Sequence, residues 1–160
     1  SNQRSIWPKI LKMVSLSYNV DEKKWQKSFP LFKKYISNSV IETIKTVKIN
    51  LSENSEINFL LTSDKKIQKL NFKYRNKNLP TNVLSFPMMK KINGVMLIGD
   101  IAISNEKILK ESKNLKTNKY SYLSKITIHG VLHLLGFDHQ TEKEFQIMDQ
   151  YEKKILKKLQ

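Results

Sequence analysis

All three histidines of this chain fall within one short run, at positions 129, 133 and 139, and that spacing fixes much of what the segment can become. His129 and His133 are four residues apart, which on a helix puts both rings on one face, within reach of a single ion. Gly136 supplies the left-handed backbone that ends a helix, so the chain can swing back and let His139 close the set. Three imidazoles without a fourth protein ligand are the donor set of a catalytic zinc, which keeps one coordination position open. A structural zinc would ordinarily be closed by thiolates, and the chain contains no cysteine. The same absence excludes disulfides and cysteine nucleophiles.

At 160 residues the chain has the length of one domain, expected to span 1–160 with a single core. The formal net charge is +15, which points to a polyanionic partner such as nucleic acid. Of the 29 basic residues 27 are lysine, and the chain is also rich in asparagine and isoleucine, so an AT-rich coding bias accounts for part of the basicity. Placement says more than the total. Between Asp64 and Asp100 there is no acidic residue, while Lys65, Lys66, Lys69, Lys73, Arg75, Lys77, Lys90 and Lys91 all fall in that interval. Such a segment attracts phosphates. No apolar run approaches the roughly 20 residues needed to span a bilayer, so no membrane is expected among the partners. Ser1-Asn2 reads as a processing remnant, and Ile6 to Leu16 is too short and interrupted for a signal peptide. The expected setting is the bacterial cytoplasm, or an organelle after loss of a targeting segment.

Val14, Leu16, Tyr18 and Val20 alternate with polar residues as a half-buried strand does, and Asp21 is placed to cap a following helix. Pro30 marks a boundary, after which Leu31, Tyr35, Val40, Ile41 and Ile44 recur at helical spacing as far as a polar loop at Ser52 to Ser55. Glu56 to Leu61 reads as a strand. Ser63 or Asp64 caps a short helix with Ile67, Leu70 and Phe72 on its apolar side, and Asn76 to Pro80 has turn composition. Val83 to Phe86 and Val95 to Ile103 form a hairpin around Asn93-Gly94, with a bulge or close approach at Gly99. A helix runs from Ser104 to about Lys113. From Tyr120 to Leu135 apolar residues surround the helix on most sides, the pattern of a buried central element that carries the histidines. Thr141 caps a last amphipathic helix bearing Phe145, Met148, Tyr151, Ile155 and Leu159.

The histidine frame, with glycine at its eighth position and histidine at its eleventh, also occurs in the zinc motif of the metzincin proteases. Those enzymes place a glutamate directly after the first histidine as general base. Here that position is Gly130, which makes a metal-dependent peptidase the minority reading.

Read as His-Gly-x-Leu-His-Leu-x-Gly-aromatic-Asp-His, the segment His129 to His139 closely resembles the signature of the YbeY endoribonucleases, the rRNA maturation factors of bacteria and organelles. Upstream, Leu70-Asn71 to Tyr74-Arg75-x-Lys77, the run Pro80 to Pro87 and the run Gly99 to Ser104 follow in that family's order and approximate spacing. The resemblance implies a single α+β domain, a small mixed sheet packed with helices around the buried helix that carries the ligands. It implies one zinc per chain on His129, His133 and His139, with another divalent transition metal as the alternative. It further implies cleavage of single-stranded RNA in small-subunit 16S rRNA maturation and ribosome quality control, with the small subunit and its proteins as partners. A third reading is a ribosome assembly factor whose zinc is mainly structural. Arg75 matches the family's functional arginine, and in a chain that writes nearly every cation as lysine only Arg4 shares its type. A planar guanidinium grips two phosphate oxygens at once, whereas lysine is a point charge. The expected mechanism has the metal polarise a phosphoryl oxygen or lower the pKa of its bound water toward neutrality, while Arg75 stabilises the charge that develops on the phosphate. Lys77, Asn82 and Ser85 are candidate substrate-binding residues, Asp100 a candidate for shaping the cleft, and Asp138 a candidate cap beside a ligand.

Overall fold

The alternation at Val14–Val20 becomes strand β1 in a computed structural model that describes residues 13–49, 51 and 54–160. The readings made on Ser1-Asn2, Arg4, most of Ile6 to Leu16 and Ser52 lie outside those residues. Three further strands, β2 (Ser55–Thr62), β3 (Val83–Ile92) and β4 (Val95–Ser104), join β1 in one mixed sheet of order β1-β2-β4-β3. β1 and β4 both run parallel to β2, and β3 turns back antiparallel against β4. Parallel neighbours need long crossovers, and the helices supply them. These are α1 (Lys24–Ser28), α2 (Phe32–Val47), α3 (Asp64–Arg75), α4 (Asn105–Asn114), α5 (Lys119–Leu134) and α6 (Glu142–Leu159). The result is a single small α+β domain.

Inward-facing strand residues Ile57, Phe59, Leu61, Ile101 and Ile103 meet Phe32, Ile36, Val40 and Ile44 of α2 and Leu123, Val131 and Leu134 of α5 in the main core. Trp25 is fully buried there, and its indole N–H donates to the Thr62 carbonyl at 2.9 Å, so its one polar atom is satisfied. On the opposite face of the sheet α3 lays Ile67 against Leu84 and Ala102. α5 is therefore held between the sheet and α6, whose Met148 and Ile155 pack on Ile128 and Leu132. No helix among the described residues is long and apolar enough to cross a membrane.

Several local expectations are corrected. Asp21 caps nothing: its N–H donates to the Leu61 carbonyl and continues the β1–β2 ladder, while α1 starts without a side-chain cap. Leu31 is half exposed at the entrance to α2, and Phe32 takes the inward position. Phe72 points to solvent, because the inward face of α3 is set by Ile67, Leu70 and the buried Asn71. Ser55 belongs to β2, and β3 runs on past Phe86 to Ile92 as an exposed arm still paired with β4. The caps expected at Ser63 and Thr141 each accept a backbone N–H, and Ser104, read as the first residue of its helix, turns out to be its cap.

Gly99 is the close approach that its position in the strand predicts. Glu56 faces Leu97 and Ile57 faces Gly99, so Ile98 is the extra residue of a bulge. A Cβ at Gly99 would strike the Phe86 carbonyl oxygen and come within 2.7 Å of Leu134 Cδ2. Only a bare backbone lets the last turn of α5 settle this closely on β4.

Candidate active site

α5 starts on an Asn118 cap whose carboxamide oxygen accepts from the N–H groups of Tyr120 and Ser121, and it ends just after His133. Gly136 stands at φ 97°, with its N–H donating to the His133 carbonyl and the Phe137 N–H reaching back to the Leu132 carbonyl. That pair of bonds is a Schellman ending, and it needs the left-handed residue that glycine provides. Phe137 then anchors the reversed chain by packing edge-on against Tyr151 of α6. His139 arrives opposite the helix, and the Asp138 carboxylate accepts the His139 N–H at 2.8 Å, which makes Asp138 a turn-holding residue.

One ring nitrogen from each of His129, His133 and His139 lies within 4.8 Å of the other two. The Nε2 atoms of His129 and His133 are 3.1 Å apart. Ligands held tetrahedrally at about 2.0–2.1 Å from a zinc lie roughly 3.3 Å from one another, so the pair is already at coordination spacing. Burial pushes His133 below its ordinary 6.5, and its two histidine neighbours push it further, against the opposing pull of Asp138. The shift favours the neutral imidazole, the form that has a lone pair for a metal. The residues present fit a metal ion.

Glu152 was not legible as a site residue from the histidine motif. Its carboxylate Oε1 bonds to His129 Nδ1, the nitrogen turned away from the other two rings. A signal for it exists in the sequence. It lies four residues after Met148 and three before Ile155, so a carboxylate occupies the apolar stripe of α6.

The histidines form one wall of an open cleft of about 750 Å³, and Arg75, Lys77, Asn82 and Ser85 line the same cleft. Arg75 closes the last turn of α3, after which Asn76 takes a left-handed conformation and turns the chain toward the site. Asn71 holds this loop by donating to the Leu79 carbonyl at 2.9 Å. The guanidinium donates to the Ser85 carbonyl at 2.7 Å and lies 5.8 Å from the centre of the Phe86 ring. Among the described residues no carboxylate pairs with it. Ser85 is buried and its hydroxyl donates to the Gly130 carbonyl at 2.9 Å. Asn82 donates to Glu111, which also accepts from the Tyr122 hydroxyl. Lys77 is exposed at the rim. Asp100 is elsewhere: it faces a second groove on the other side of the sheet, where it accepts from Asn58 at 3.0 Å. Lys90 and Lys91 sit on the exposed β3 arm, away from the cleft.

Gly130 separates this site from a protease. A Cβ there would lie 3.2–3.3 Å from Val83, Ile101 and Ser85 side-chain atoms, so the residue after the first histidine is wedged against the sheet. Any side chain at that position would have to push these neighbours aside by a few tenths of an ångström.

A family model described as endoribonuclease YbeY matches residues 19–160. A Buchnera aphidicola protein named Endoribonuclease YbeY is 44% identical over 127 residues, covering 78% of this chain and 76% of its own. Proteins of that name from Bartonella bacilliformis and Bartonella henselae are 33% and 36% identical, each alignment covering 92% of this chain and 94% of the relative. The solution structure of a Thermotoga maritima protein superposes with a TM-score of 0.52 at 22% identity, over 91% of both chains, which supports the α+β fold.

Proposed function

The chain belongs to the endoribonuclease YbeY family, and from that premise we propose that it cleaves single-stranded RNA at a zinc centre held by His129, His133 and His139. The observation that carries the reading is the meeting, in one cleft, of three converging imidazoles and an arginine that no carboxylate pairs with among the described residues. When bound, the metal supplies a Lewis acid beside the scissile phosphate. Arg75 uses one donor to fix itself on the Ser85 carbonyl and presents the remainder of its fork to phosphate oxygens, where it stabilises charge as it develops. The Ser85–Gly130 bond ties the Arg75 wall to the histidine helix, so the two halves of the site keep their separation. Asn82 borders the cleft, and Lys77 adds positive charge at its mouth. A cleft this open suits an unpaired strand better than a duplex.

The setting we assign is 16S rRNA maturation and ribosome quality control in a bacterial cytoplasm, with the small subunit as partner, since the named relatives are bacterial. Incubating the protein with single-stranded rRNA fragments and, in parallel, with casein tests the reading. Wild type should cut RNA and leave casein intact, and His133→Ala or a chelator should abolish cleavage. RNA cleavage that survives His133→Ala at full rate would sink the metal-dependent reading.

A further inference from the structure

We infer that Glu152 of α6 is a positioning residue for the metal: it fixes the ring of His129 so that Nε2 faces the other two histidines, and makes metal affinity depend on the docking of α6. The inference rests on the metal reading above. A carboxylate can only accept, so contact between Glu152 Oε1 and His129 Nδ1 assigns the proton to Nδ1 and leaves a lone pair on Nε2. That Nε2 is the atom 3.1 Å from His133 Nε2. The acid is no casual surface partner, because its side chain is only 15% exposed. Met148 and Ile155, on either side of it, are buried against Ile128 and Leu132, the neighbours of His129 on α5. The same packing that seats α6 therefore seats the carboxylate. Partners of this kind set both tautomer and basicity in metal-bound histidines, and losing one typically costs 10–100-fold in affinity. Chain order adds to the effect. His139 lies just before the Thr141 cap of α6, so the metal would join both ends of the α5–α6 turn while Glu152 secures it from the middle of α6.

The test measures zinc affinity of the full chain by competition with a chromophoric chelator, for wild type, Glu152→Gln and Glu152→Ala. Glutamine is nearly isosteric and its amide oxygen still accepts from Nδ1, so a roughly 10-fold loss is expected, against about 100-fold for alanine. Nitrogen chemical shifts of His129 in metal-free protein give a readout that a merely structural role would not move. Wild type and Glu152→Gln should hold the Nδ1–H tautomer, and Glu152→Ala should shift toward Nε2–H. Should the alanine variant fail to fold, the glutamine variant still decides the matter through its affinity. Zinc affinity within twofold of wild type in every variant that folds, or an Nε2–H tautomer in wild type, would overturn the inference while leaving the metal site standing. A wild-type protein that holds no zinc would overturn both.

Discussion

Arg75 is bound to the Ser85 carbonyl on one side and has no carboxylate partner among the described residues, and that asymmetry makes its identity matter. A lysine there keeps the charge but loses the fork that grips Ser85 and phosphate together. Arg75→Lys should lower kcat/KM for RNA cleavage by about 30-fold, roughly 2 kcal/mol of transition-state stabilisation, with Arg75→Ala lower still. Steady-state kinetics on a short single-stranded RNA would check this, and a lysine variant as fast as wild type would remove the bidentate argument. Gly99 is constrained more severely. Gly99→Ala drives a methyl into the Phe86 carbonyl and Leu134, and should destabilise the fold by about 2–3 kcal/mol in urea titration. The sequence exposed these two residues for different reasons: Arg75 as a rare cation inside a basic stretch, Gly99 as a glycine inside an apolar strand. Glu152 was hidden because its partner lies on another helix, and only the docking of α6 on α5 brings them together.

At the scale of elements, capping and periodicity were readable because both are local. Ser63 and Thr141 accept the N–H groups that their positions predict, and the all-round apolar pattern of α5 matches its burial between sheet and α6. What the sequence could not convey was which elements touch. Asp21 had the composition of a cap, yet tertiary pairing with Leu61 claimed its backbone. The link between α4 and α5 is another product of packing: burial first, then the hydrogen bond and charge of Glu111, push the Tyr122 hydroxyl up to about 12. An unfolded tyrosine ionises near 10, so the folded state is the one that keeps its proton between those values. The stability this gives is complete below pH 10 and is lost as pH rises toward 12. Urea denaturation at pH 9 and pH 11 should show a smaller alkaline loss for Tyr122→Phe than for wild type. Equal losses would mean that the phenol is not coupled to the fold.

Over the whole molecule, the formal charge of +15 makes RNA affinity a salt-dependent quantity. Each phosphate neutralised should contribute about −0.7 to the slope of log affinity against log salt for a single strand. Lys77→Ala at the cleft mouth should flatten that slope by roughly this amount, whereas Lys90→Ala on the distal arm should leave it nearly unchanged, as fluorescence anisotropy over a salt series would reveal. The α+β class was legible through the family resemblance, and the all-round apolar pattern of α5 fits its burial between the sheet and α6. Strand order was not, since β2 pairs both with β1, which precedes it, and with β4, which follows it only after a helix and another strand. That topology also dictates a timetable. The β3–β4 hairpin closes locally, Ile92 against Val95, whereas β1 cannot pair until Val14 finds Ser55 and β2 cannot join β4 until Glu56 finds Leu97. Long-range parallel closure is the slow step of such chains. Stopped-flow refolding should accordingly show helix signal gained before the burial of Trp25, whose indole waits for the carbonyl of Thr62 at the end of β2.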